Sequence, residues 1–209
     1  MNENTLGYLD NETTNFEKYR KRLQRREIKL LCKNGKPTMQ EVVDWLVENE
    51  IKCFMVDYKL EPQFSYQGTD LLFYIKSALP DLPCIILTNY KSDSLTDNLV
   101  EDFVVFDRHT MDSTGDDFVK FIETLKRTLK IFDKRIQKRI EYYEELLIKH
   151  NSGNITVFEN EEFLKNYSLL RSYGVVDDIP SELLTSKVEK SLDSLLEELD
   201  EVLDSVEEK

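Results

Sequence analysis

Four apolar runs of this chain end on residues able to manage a charged group. TLGYL is followed by Asp10-Asn11-Glu12, IKCFMV by Asp57, PCIIL by Thr88-Asn89 and DFVVF by Asp107-Arg108. Taken alone, Asp57 could cap a turn, bind a metal or act as a nucleophile. Carboxylates gathered at one sheet edge raise one another's pKa unless a cation lies between them. A Mg²⁺ ion held by oxygen ligands and water is the common resolution. A carboxylate beside such an ion, with a hydroxyl and a guanidinium nearby, can accept a phosphoryl group, because the cations neutralise the transferring oxygens.

The elements that must bring these residues together are legible as alternating strands and helices. TLGYL (5–9), EIKLL (27–31), IKCFMVD (51–57), PCIILT (83–88) and DFVVF (102–106) read as strands. Between them lie amphipathic stretches at 14–26, 38–49 and 69–79, and a weaker one at 92–101. Pro37 and Thr38 mark the start of the second stretch. Runs such as CFMV and CIIL are continuously apolar, so both faces are buried, as in a parallel sheet. The expected fold is α/β, a doubly wound five-stranded parallel sheet covered on both sides by helices.

From Gly115 the pattern changes to apolar residues at three- and four-residue intervals, Phe118, Phe121, Ile122 and Leu125 through Leu147. They predict one long helix, about 115–150, ended by HNSGN. A second helix, about 159–173, stops at Gly174, and a third, about 180–207, carries Leu192, Leu195, Leu199 and Val202 at coiled-coil spacing. The organisation is thus a sheet domain over 1–130 and an all-α extension over 131–209, joined through a shared helix.

Composition narrows the function. The formal net charge is −13, which opposes nucleic-acid binding by phosphate neutralisation. Residues 126–139 nevertheless hold seven Lys or Arg against one Asp, and residues 189–208 hold nine Asp or Glu against one Lys. Opposite charges flanking apolar seams suit helix pairing, within the chain or with a partner. No apolar run reaches the roughly 20 residues of a membrane span, and MNENTLGYLDNE does not read as a signal peptide. Cys32, Cys53 and Cys84 lack CxxC spacing and read as reduced residues of a cytoplasmic protein. His109 and His150 stand far apart and do not suggest a His-rich metal site.

The order of LGYLDNE, VDYKLEP and PCIILTNY resembles the receiver domains of two-component response regulators, over roughly residues 4–130. The resemblance implies a strand order of 2-1-3-4-5, and that Asp57 is the phosphoacceptor, Asp10 the metal-site acid, Thr88 the switch hydroxyl and the carbonyl of Lys59 a Mg²⁺ ligand. The family's second acid is here Asn11, for which Glu12 could compensate. The family's Lys after the fifth strand is absent, and Arg108 is the nearest cation. The usual aromatic of the fifth strand falls near Val105 or Phe106. Without the resemblance, Arg108 reads as a surface charge paired with Asp107, and Glu12 as a helix-start residue.

Two functions follow. One is a phosphoacceptor protein loaded by a histidine kinase or phosphotransfer partner, with helices 115–150 and 180–207 for a homodimer or an effector protein. Lys59 and Tyr90, each two residues beyond a site residue, would border the pocket and slow hydrolysis of the phosphate. The other is a pseudo-receiver adaptor that binds partners without phosphorylation, favoured by Asn11 and the missing Lys. A covalent hydrolase like the haloacid dehalogenases needs an acid two residues after its nucleophile, where this chain has Lys59. No helix-turn-helix pattern or phosphate loop is present, so neither a nucleic-acid partner nor an independent enzymatic output is expected.

Overall fold

The structure, a computed structural model, describes residues 4–89 and 105–176. Its elements are Thr5–Leu9 (β1), Phe16–Gln24 (α1), Lys29–Lys33 (β2), Met39–Glu48 (α2), Cys53–Val56 (β3) and Gly68–Ala78 (α3). Cys84–Thr88 (β4), Val105–Asp107 (β5), His109–Asp112 (α4), Asp116–Ser152 (α5) and Val157–Ser172 (α6) follow. The candidate helix at 92–101, Tyr90 and the acidic helix 180–207 lie outside the described residues.

All strand pairs are parallel, as the continuous apolar runs predict, and the order is β2-β1-β3-β4-β5, as the resemblance implies. Successive side chains of each strand enter opposite cores. Leu6, Tyr8, Cys53, Met55, Ile85 and Leu87 meet α1 and the first half of α5 on one face. Leu9, Phe54, Val56 and Ile86 meet α2 and α3 on the other. The chain moves outward from β1 to β2, then returns across β1 to lay down β3. That reversal opens a crevice at the carboxyl ends of β1 and β3, where open α/β sheets bind ligands.

Strand β2 begins at Lys29 rather than Glu27. Glu27 sits in the left-handed region at φ 62°, closing the turn after α1, so strand geometry starts only beyond Ile28. Helix α2 starts as Thr38 predicts, with a capping box in which Glu41 N–H donates to Thr38 Oγ1 at 3.2 Å and Thr38 N–H donates to the Glu41 carboxylate at 2.7 Å.

The long helix runs Asp116–Ser152 and ends at left-handed Gly153. Helix α6 folds back along it and is closed by Gly174, with Val175 N–H donating to Leu170 carbonyl at 3.0 Å. Tyr143 and Phe163 stack at 5.4 Å in the seam of this hairpin. The described residues up to Val175 pack as one compact unit. Within it the hairpin is anchored at the amino end of the sheet. Arg139 pairs with Asp81 at 2.6 Å, Lys52 with Asp133 at 2.8 Å, and Asp81 N–H donates to the Tyr173 hydroxyl at 2.8 Å. The basic stretch is therefore partly engaged by the sheet domain itself, since Lys126 also pairs with Glu27 at 3.2 Å. These anchors lie at the end of the sheet opposite the crevice.

Candidate functional site

Parallel register delivers the site residues side by side. Leu9 is level with Val56, and Asp57 N–H donates to the Leu9 carbonyl at 3.0 Å, so Asp10 and Asp57 leave neighbouring strands together. Thr88 closes β4 and is level with Asp107, while Arg108 N–H donates to the Thr88 carbonyl at 3.0 Å. Asp10, Asp57, Thr88 and Arg108 are all buried.

Arg108 is the centre of the cluster. Its Nη2 lies 3.0 Å from Asp10 Oδ2 and 2.8 Å from Asp57 Oδ1. Its side chain is only 8% exposed, so the surface-charge reading of this residue does not hold. Nor does Asp107 take it. The Asp107 carboxylate accepts from His109 N–H at 2.7 Å at the start of α4, while Arg108 turns inward. Burial works against the guanidinium charge, but the surrounding groups outweigh it and the pKa of Arg108 rises.

The Thr88 hydroxyl hydrogen-bonds to the Asp57 carboxylate. The pKa of Asp57 is raised to about 6: burial raises it most, the charge of Arg108 opposes this, Asp10 adds to it, and the Thr88 hydrogen bond lowers it. Asp10 is also raised, chiefly by burial, against the opposing hydrogen bonds from Tyr8 and the Glu12 N–H. Both acids are thus held in an environment that resists their charge, with one guanidinium between them.

The remaining metal-site candidates lie at the rim. Asn11 Nδ2 donates to the Lys59 carbonyl at 2.8 Å, which places the amide beside the oxygen expected to bind metal. Glu12 supplies its backbone N–H to Asp10 Oδ1 at 2.9 Å, and its side chain is exposed at the start of a 3₁₀ turn. It contributes as a turn residue, not through its carboxylate. The Lys59 side chain is exposed as well. On β5, Val105 is buried against the α2/α3 core, while Phe106 meets Phe121 edge-on at 5.2 Å on the other face.

The donor set suits Mg²⁺ in kind. Two carboxylates, a backbone carbonyl and an amide oxygen are hard ligands of the type that ion accepts. Asp57 Oδ1, though at ion-pair distance from Arg108, accepts no hydrogen bond. No third carboxylate, histidine or cysteine joins the group among the described residues.

Two contributors were not read from the sequence. Tyr8, buried on β1, donates its hydroxyl to Asp10 Oδ2, and burial raises its pKa well above the ordinary value. The signal was available, because position 8 shares a strand face with position 10. Tyr8→Phe removes a donor to a buried carboxylate and is expected to cost about 1.5–3 kcal/mol in urea denaturation. Because that bond lowers the pKa of Asp10, the variant should also titrate Asp10 at higher pH by carboxyl NMR. An unmoved titration would mean that the phenol does not support the acid. The second contributor is Gly68, whose added Cβ would stand 2.1 Å from the Asp57 carbonyl oxygen. Helix α3 can pass this close to the end of β3 only with glycine at its first position.

No family model and no curated protein matches the sequence. Solved structures do match. The signal receiver domain of an HD domain-containing protein from Pseudomonas fluorescens aligns with a TM-score of 0.50 at 15% identity, over 65% of this chain and 93% of its own. A response regulator receiver domain protein from Clostridium thermocellum gives 0.46 at 20% identity, over 61% and 97%. The Thermotoga maritima response regulator TrrA, solved in complex with Mg²⁺ and beryllofluoride, gives 0.44 at 14% identity, over 59% and 97%. The sheet domain therefore has the receiver fold of response regulators, and a helical C-terminal region follows it.

Proposed function

We propose that this chain is a phosphoacceptor of a two-component relay, phosphorylated on Asp57 by a histidine kinase or a phosphotransfer protein. The observation that carries the reading is the convergence of Asp57, Asp10, Thr88 and Arg108 at the β1/β3 crevice, with Arg108 Nη2 within 3.0 Å of both acids. In the transfer, an Asp57 carboxylate oxygen attacks phosphorus. The new P–O bond forms as the bond to the donor nitrogen breaks, and the imidazole leaves with the electron pair. Thr88 Oγ1 donates toward the incoming phosphoryl oxygens, and Arg108 sets its positive charge against them. Asp10, Asp57, the Lys59 carbonyl and Asn11 would hold Mg²⁺, which supplies further charge neutralisation when bound. Water is kept from the acyl phosphate by the burial of Asp57, which fits a slowly hydrolysing phosphate store.

The chain acts on its own Asp57 and is not assigned an enzymatic output. The α5–α6 hairpin, anchored away from the crevice, is available for a second copy or an effector protein. No described helix is long and apolar enough to cross a membrane. We place the protein in the cytoplasm, where its phosphodonors are. A second reading, the phosphorylation-independent adaptor, is favoured by one observation: Asn11 already occupies the Lys59 carbonyl.

Incubation with Mg²⁺ and acetyl phosphate, followed by intact mass, separates the two. Wild type should gain one phosphoryl group and Asp57→Ala none. A wild type that never gains mass, or a variant that gains as much, refutes the phosphoacceptor.

A further inference from the structure

We propose that Arg108 is the resting cation of the pocket and keeps a divalent ion out until a phosphoryl group arrives. The second half of this statement rests on the phosphoacceptor reading of Asp57; the first half does not. Four of the oxygens that could bind a metal already face a donor of the chain. Asp10 Oδ1 accepts from Glu12 N–H at 2.9 Å, and Asp10 Oδ2 accepts from the Tyr8 hydroxyl and faces Arg108 Nη2 at 3.0 Å. The same nitrogen stands 2.8 Å from Asp57 Oδ1, and the Lys59 carbonyl accepts from the Asn11 amide at 2.8 Å.

Charge leads to the same place. Two carboxylates against one guanidinium leave a single net negative charge among the described residues. A divalent ion entering this resting pocket would overturn that charge and would have to pull both acids away from Arg108. In a buried site, where charges are poorly screened, both effects oppose binding. Phosphorylation reverses the balance. The Asp57 carboxylate becomes a neutral acyl linkage, and the phosphoryl group brings up to about two negative charges. The pocket then carries about two net negative charges, which one divalent ion neutralises. Asn11 sets the resting value, because an aspartate at that half-exposed rim would add the missing negative charge without touching Arg108.

Mn²⁺ binding to the full chain, read by water-proton relaxation, tests the proposal in wild type, Arg108→Met and Asn11→Asp. Each protein is titrated with and without beryllofluoride, and ¹⁹F NMR reports whether the adduct forms. Resting wild type should bind Mn²⁺ at least about tenfold more weakly than either variant, and about tenfold more weakly than its own adduct. If Arg108→Met does not fold, Asn11→Asp alone makes the resting comparison. Wild type that binds resting Mn²⁺ as tightly as Asn11→Asp overturns the proposal, and so does an adduct that leaves the affinity unchanged. Failure to form any adduct removes the phosphoacceptor reading instead, and the resting comparison still decides the role of Arg108.

Discussion

Arg108→Met should destabilise the protein by about 3–5 kcal/mol at neutral pH, because it strips the counter-charge from two buried carboxylates at once. The deficit should shrink in acid. The folded-state pKa of Asp57 stands at about 6, above its ordinary 3.8. Its stabilising contribution is therefore full below about pH 3.8 and is lost as pH rises through about 6, a change of about 3 kcal/mol. Arg108 is one of the influences holding that pKa down. Without it, Asp57 and Asp10 keep their protons to higher pH, so near pH 5 the variant buries neutral acids and has little charge left uncompensated. Urea midpoints at pH 5 and pH 7.5 give the comparison. A gap between variant and wild type that is equal at the two pH values would mean that Arg108 stabilises by packing and not by charge.

Gly68→Ala should cost about 3 kcal/mol or more, an unusually large effect for one added methyl group. In a unit of this size such a loss lowers the melting temperature by roughly 6–12 °C. The cause is space and not backbone conformation. The added Cβ would sit 2.1 Å from the Asp57 carbonyl oxygen and 3.0 Å from Tyr58 Cα, both backbone atoms that cannot rotate away. The helix must then shift along the end of β3, breaking the bond from Gly68 N–H to the Tyr58 carbonyl, now 2.8 Å. Since the displaced strand end carries Asp57, the yield of acetyl phosphate adduct should fall with the melting temperature. A variant that melts with wild type would show that α3 slides freely, and the close approach would then be irrelevant to the site.

The fold was legible because its signals are local and repeated. CFMV and CIIL have no polar alternation, which only burial on both faces explains, and the amphipathic stretches between them supply the covering helices. Asp10, Asp57 and Thr88 were legible for the same reason: each directly follows or closes a buried strand, and parallel register carries such residues to one edge. Misplacements arose where a single residue's dihedral or partner decided the outcome. Glu27 takes left-handed geometry and moves the start of β2, an event that β-propensity does not record. Glu12 looked like a spare ligand, but the tight turn after Asp10 uses its backbone and leaves its carboxylate in water.

By itself, then, the sequence determined the parallel sheet, the long helix after Gly115 and the acids at the strand ends, since all three follow from hydrophobic periodicity. Only the tertiary structure decided what stands between those acids. Asp107 could have held Arg108, its neighbour in the chain, but the amide of His109 claims the Asp107 carboxylate. The guanidinium is thereby sent inward to two acids that stand 98 and 51 residues before it in the sequence. Which carboxylate a cation chooses depends on competing hydrogen bonds and on burial, and both exist only once the strands are side by side.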